Sequence, residues 1–178
     1  MRLILDVGCG NKPKGTINCD LYPYSEEHRR KEDWKISKIP NFVQCDAHSL
    51  PFKSNSFDVV YCHHVLEHVE YPLLVLKEFY HVSREKVIIV VPDLKTSRIY
   101  GEFEPHLYSW SKWSLEGLMQ KVFDKTSVIV TNEPLQLKRK NKLSHFINFL
   151  LKRVFVSFPF LYYSQLIAVG YCKEEATP

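Results

Sequence analysis

Three aspartates and two glycines carry the chemistry open to the amino-terminal part of the chain. Asp6 is followed by Gly8-Cys9-Gly10, while Asp20 and Asp46 each close a short run further on. Glycines one residue apart let the backbone turn tightly and bring its N–H groups against a ligand with no Cβ in the way. Ionised carboxylates suit hydroxyl and amino donors, because charge-assisted hydrogen bonds are the stronger kind. Histidines form a second set: His63, His64 and His68 lie close together and His106 stands alone. Such side chains serve as general bases or metal ligands. His64 and His68 are spaced i, i+4 with Glu67 between them, as two ligands on a helix start would be. No further ligand cluster accompanies them, so the expectation is no metal.

Three cofactor classes place glycines at such a turn. A dinucleotide fold needs G-x-G-x-x-G running straight into a helix whose N-terminus holds the pyrophosphate. Here Pro13 occupies the third glycine position. A phosphate loop needs G-x-x-x-x-G-K-[ST]. Gly10 and Gly15 have that spacing, but Thr16 stands where the lysine should be, and Lys12 and Lys14 read as solvated loop residues. S-adenosylmethionine, the third class, has no phosphate. It asks for a glycine-walled pocket at its amino-acid end, a carboxylate for the ribose hydroxyls and an acceptor for the adenine amino group. Asp6 with Gly8 and Gly10, then Asp20, then Asp46 offer these in chain order. The plainer reading is that each aspartate caps a strand-to-helix turn, where the residue is common.

The elements that must position these groups follow from apolar runs and breakers. Leu3 to Val7 is uniformly apolar but for Asp6 and reads as a buried parallel strand. Thr16–Leu21, Phe42–Cys45 and Phe57–Cys62 are read as three more strands, and Lys86–Val91 as the strongest. Tyr22 to Ser37 is polar, with a helix over part of its length. Val69–Val82 is a helix with Pro72 in its first turn and Leu73, Leu76, Phe79 and Tyr80 along one face. Leu115, Leu118, Met119, Val122 and Phe123 mark another. Ser127–Thr131 and Leu166–Cys172 are β-rich and suited to pair antiparallel at a sheet edge. The expected fold is α/β: a doubly wound, mostly parallel seven-stranded Rossmann-like sheet with an antiparallel edge strand. Ligands bind outside the carboxyl ends of such strands, which is where the aspartates and glycines fall.

Four segments in this order resemble the class I S-adenosylmethionine-dependent methyltransferases, and among them the small type-11 group. They are Leu5-Asp6-Val7-Gly8-Cys9-Gly10, Cys45-Asp46-Ala47-His48-Ser49-Leu50-Pro51-Phe52, Ser56-Phe57-Asp58-Val59-Val60 and Val65-Leu66-Glu67-His68-Val69. The likeness spans residues 3–131 and returns at Ala168-Val169-Gly170-Tyr171-Cys172-Lys173. It implies that Asp6, Gly8, Cys9 and Gly10 line the methionine portion of the cofactor. Asp20 and Leu21 then bind the ribose, Asp46 and Ala47 contact the adenine, and His63 closes the pocket near the sulfonium. His68 falls to a structural contact. One departure stands out: relatives have a full helix between glycine loop and second strand, and this chain has only Asn11 to Gly15. A general base, if the acceptor needs one, comes from the ends of the fourth and fifth strands, with His63 and His106 the first candidates and His64, Asp93 and Tyr108 behind them.

Composition narrows the class. The 178 residues, 45% hydrophobic and 25% charged, suit one globular domain. Five cysteines without a C-x-x-C pair read as reduced thiols, and the chain enters a strand without a signal peptide, so the expected location is cytoplasmic. Lys138-Arg139-Lys140-Asn141-Lys142 opens a basic and aromatic insertion at about 135–163, which Lys152, Arg153 and Pro159 keep from being a transmembrane span. Three readings stay open for it: a lid over the substrate, an interfacial helix making peripheral contact with an anionic membrane over 138–163, or a homodimer surface or plain core. The leading function is methylation of a small-molecule, glycan or lipid-linked acceptor. Nucleic-acid methylation predicts an N-P-P-[YF] motif after the fourth strand, and Cys62-His63-His64-Val65 is none; a net charge of +4 adds little. Protein methylation and a non-catalytic, membrane-associated role on the same fold complete the alternatives.

Overall fold

The computed structural model describes residues 2–21, 38–94, 106–134 and 162–172. Seven strands form one sheet: β1 (Ile4–Val7), β2 (Ile17–Asp20), β3 (Phe42–Gln44), β4 (Phe57–His63), β5 (Ser83–Pro92), β6 (Lys125–Pro134) and β7 (Tyr162–Tyr171). Their spatial order is β3-β2-β1-β4-β5-β7-β6. The first five are parallel, while β7 runs antiparallel to both β5 and β6. The β7–β6 pair is thus the antiparallel edge expected from the two late β-rich runs. Two helices accompany the described strands, α1 (Pro72–Val82) and α2 (Lys112–Met119). The helix expected within Tyr22–Ser37 and nearly all of the 135–163 insertion lie outside the described residues.

Local chemistry explains the helix boundaries. Helix α1 begins three residues later than Val69 because Pro72 takes the first helical position, where its missing N–H costs nothing. It buries Val75, Leu76, Phe79 and Val82, with Leu73 and Tyr80 half-buried at the margins. Ser83 ends it, and β5 starts there with no intervening loop. Helix α2 is opened by a reciprocal cap in which Ser111 Oγ accepts the Ser114 N–H at 3.1 Å and Ser114 Oγ accepts the Ser111 N–H at 2.9 Å. It ends at Met119, and Phe123 follows in a turn whose ring fills the space left by Gly170 of β7, where a Cβ would come within 2.4 Å. The core is continuous from Leu5 and Val60 through Leu76, Phe79 and Ile89 to Leu115, Leu166 and Ala168. All five cysteines are free thiols.

The connection from β1 to β2 is unusually short. A parallel crossover normally takes a dozen or more residues, usually including a helix; only residues 8–16 lie between Val7 and Ile17. Two left-handed glycines, Gly8 at φ 71° and Gly10 at φ 55°, reverse the chain. The return leg then runs back along β1. There, Asp6 Oδ2 accepts the Lys14 N–H at 2.7 Å, and Thr16 exchanges bonds with both the N–H and the C=O of Ile4. Gly15 lies so close to β1 that a Cβ would meet the Asp6 nitrogen at 2.8 Å. In place of the helix that the family resemblance implies here stands a strap that Asp6 and Gly15 hold down.

Candidate active site

Register brings the strand ends to one edge. Val7 is level with Cys19 and Cys62, Asp20 with Gln44, and His63 with Val90. The glycine turn, Asp20 and His63 therefore stand at the carboxyl ends of β1, β2 and β4, and Asp46 lies two residues beyond β3.

The loop's hydrogen bonds decide what it can hold. The N–H groups of Gly8 and Cys9 both donate to the Cys19 carbonyl, at 2.8 and 3.0 Å, and the Gly10 N–H donates to Asp20 Oδ2 at 3.2 Å. Further along, Lys12 donates to the Cys9 carbonyl, Lys14 to Asp6 and Gly15 to the Asn18 side chain. A phosphate cradle needs several convergent free N–H groups, and this loop spends its own within the protein. The expectation that the turn sets its N–H groups against a ligand is corrected here. The short crossover uses them to tie the loop to β2. Gly8 also admits Val65, since a Cβ on it would lie 2.1 Å from Val65 Cγ2. Lys14 is not simply solvated: its ammonium donates to the Tyr61 hydroxyl at 2.7 Å and sits 4.7 Å above that ring.

The three aspartates differ in environment. Asp6 is buried, which pushes its carboxyl up against the opposing effect of the Lys14 N–H. Asp20 is buried at the tip of β2, bound to the glycine turn, and Leu21 beside it is exposed. Asp46 is half exposed and held below the usual carboxylate range, first by the His48 N–H at 2.9 Å and then by the His48 ring. His48 Nε2 accepts the Tyr71 N–H at 3.3 Å, so its ring proton sits on Nδ1, donated to Asp46 Oδ1 at 2.7 Å. That contact also satisfies an N–H at the start of α1, and Glu78 of α1 accepts the Leu50 N–H in return. Ala47 and Cys9 are buried beneath their loops.

His63 ends β4 stacked on Tyr61 at 6.2 Å and edge-on to His64 at 4.2 Å. Burial first, then the charges of His64 and Lys14, bring its pKa from 6.5 down to about 4. It is neutral at physiological pH, with a ring nitrogen able to take a proton. The sign of the coupling follows: between pH 6.5 and about 4 the unfolded chain binds a proton that the folded one refuses, so stability falls as pH drops through that window. We expect the His63 ring signals in an NMR titration to stay at their neutral positions down to about pH 5, on the way to that low pKa; a midpoint near 6.5 contradicts the packing.

His106 is brought to the same side by a contact that spacing alone does not reveal. The Glu67 carbonyl accepts the N–H groups of Leu107 and Tyr108 at 2.9 and 3.1 Å, docking the 106–110 segment on the 64–68 turn. That turn is not a helix start, because His64 takes a left-handed φ of 56° while its N–H binds the Val90 carbonyl. Glu67 Oε1 pairs with His64 Nδ1 at 2.9 Å, and the His68 and His106 rings lie edge to face at 4.8 Å. Asp93, the acidic candidate after β5, accepts from Ser164 Oγ at 3.0 Å, which joins β5 to β7. The convergence of Glu67, His68 and His106 is the grouping that sequence reasoning missed. The His-x-x-x-His spacing was visible, but its partner lies across a loop.

Comparison with known proteins agrees with this fold. The methyltransferase domain of the type-11 group matches residues 5–91. An uncharacterized methyltransferase of Schizosaccharomyces pombe is 32% identical over 137 residues, covering 64% of this chain and 49% of its own length. An uncharacterized protein of Methanocaldococcus jannaschii is 33% identical over 114 residues, covering 57% and 47%. The chain thus spans about half the length of the curated relatives it matches. Among solved structures, a Thermotoga maritima S-adenosylmethionine-dependent methyltransferase, a possible histamine N-methyltransferase, superposes with a TM-score of 0.68 at 17% identity, over 97% of this chain and 83% of that one. Phosphoethanolamine N-methyltransferase 2 of Haemonchus contortus, in complex with phosphomonomethylethanolamine and S-adenosylhomocysteine, gives 0.60 at 14% identity, over 97% and 49%. With the 3-2-1-4-5-7-6 sheet built around it, residues 5–91 carry a methyltransferase domain of the type-11 group.

Proposed function

We propose that this chain transfers the methyl group of S-adenosylmethionine to a small-molecule, glycan or lipid-linked acceptor. One observation carries the choice of cofactor: the N–H groups of Gly8, Cys9 and Gly10 are all consumed inside the protein, so the loop suits a ligand without phosphate. The residues fit the group. Gly8 and Gly10 would wall its amino-acid end, Asp20 would take the ribose hydroxyls, and Asp46 with Ala47 would take the adenine. Once bound, the cofactor supplies an electrophilic methyl on a positively charged sulfur, and the protein's part is to position and to exclude water. A neutral His63 at the end of β4 is compatible with that positive charge and is able to accept a proton from the acceptor.

Asp46→Ala is expected to weaken S-adenosylhomocysteine binding by about 1 kcal/mol, the loss of one charge-assisted bond at a half-exposed site. Isothermal titration calorimetry reads it, and an unchanged affinity puts the adenine elsewhere. The reaction itself is tested by incubating the protein with S-adenosylmethionine labelled in its methyl group and fractionated cell extract. Label is expected in the small-molecule, glycan or lipid fractions; label confined to protein or nucleic acid overturns this acceptor class.

A further inference from the structure

We propose that Glu67, His68 and His106 form a binding site for one divalent transition-metal ion, just beyond the end of β4. A carboxylate oxygen of Glu67 and one ring nitrogen from each histidine lie within 4.8 Å of one another. Two imidazoles and a carboxylate are the donor set of ions such as Zn²⁺, Fe²⁺ or Co²⁺, and three protein ligands leave a coordination position open.

A second observation points the same way. Glu67 is only 1% exposed, yet its Oε2 is buried with no hydrogen-bond partner among the described residues. Buried carboxylate oxygens are rarely left so, because they lose their water without replacement. Its other oxygen is fixed by His64, whose left-handed backbone is in turn tied to β5 through the Val90 carbonyl. A carboxylate oriented on one oxygen and bare on the other has the form of a metal ligand held by an outer hydrogen bond. Donors sharing one ion at bonds of about 2.0–2.2 Å stand about 3–3.5 Å apart. The remaining gap is closed by small side-chain rotations, for which exposed His68 has room.

The location gives the ion a use. Val65 packs on Gly8, and the Glu67 carbonyl holds Leu107 and Tyr108, so this turn lies between the glycine loop and the 106–110 segment. Resting on the methyltransferase reading above, an open metal position there takes an oxygen of the acceptor and favours its deprotonation, which selects hydroxyl-bearing acceptors.

The test is a titration of the metal-free full chain with Co²⁺, followed by the visible absorption of the protein-bound ion, without any cofactor present. One equivalent is expected to bind with a tetrahedral or five-coordinate spectrum. His68→Ala and His106→Ala are each expected to weaken binding at least about tenfold, in the range known for loss of supporting residues at metal sites, and Glu67→Gln to do the same. His81→Ala, an exposed histidine at the end of α1, is expected to change nothing. Should Glu67→Gln fail to fold, the exposed His68 still decides. Absence of a spectrum, equal binding by His68→Ala, or equal loss in His81→Ala overturns the proposal. Because no cofactor is added, a positive result stands even if S-adenosylhomocysteine does not bind, and a negative one leaves the methyltransferase reading intact.

Discussion

Gly8→Ala is expected to destabilise the protein by about 2–4 kcal/mol and to abolish cofactor binding at ordinary concentrations. Two costs combine. An alanine must adopt the left-handed φ of 71°, and its Cβ lands 2.1 Å from Val65 Cγ2. Against a typical domain stability of about 5–15 kcal/mol, that loss is large. Equilibrium urea unfolding measures it. Adding Val65→Ala is expected to return the steric part but not the backbone part, so the double variant recovers partially. A single variant within about 0.5 kcal/mol of wild type, the range of an inert surface change, contradicts the close packing of the glycine turn against the 64–68 segment.

Asp20→Ala acts on the ligand side. Its carboxylate closes β2 and accepts the Gly10 N–H at 3.2 Å, so removal orphans a loop donor and takes away the group offered to the ribose. S-adenosylhomocysteine affinity is expected to fall by about 2–3 kcal/mol, roughly 30- to 150-fold. Asp20→Asn separates the two roles, since the amide oxygen still accepts from Gly10 but carries no charge. Near-normal thermal stability with an affinity about tenfold lower is expected for it. If Asp20→Ala binds as tightly as wild type, the ribose lies elsewhere and Asp20 serves only the loop.

How much was legible beforehand depended on how local the determining interaction is. Apolar and β-rich runs identified all the strands, because those signals sit in the residues themselves, while the start of α1 was set three residues early, at Val69 rather than at Pro72. The positions of Asp6, Asp20 and Asp46 at strand ends were equally plain. What Asp6 does was not. Its carboxylate holds the strap that replaces a helix, and only the parallel register of β1 and β2 brings Lys14 back to it. The same register sends the Gly8 and Cys9 amides to Cys19, reversing the expectation that they face a ligand. The pairing of His48 with Asp46 was hidden for a smaller reason, since it depends on the start of α1 turning the Tyr71 N–H toward the ring. Glu67, His68 and His106 were the least legible, joined by a loop docking that no spacing rule encodes.

The central claim is that the glycine loop belongs to a site for a nucleoside ligand without phosphate, and calorimetry with three ligands tests it most directly. S-adenosylhomocysteine is expected to bind saturably at one site per chain, while NAD and ATP give no comparable heat, because the loop has spent its N–H groups. Silence with S-adenosylhomocysteine at millimolar concentration, or tighter binding of either phosphate ligand, contradicts the account.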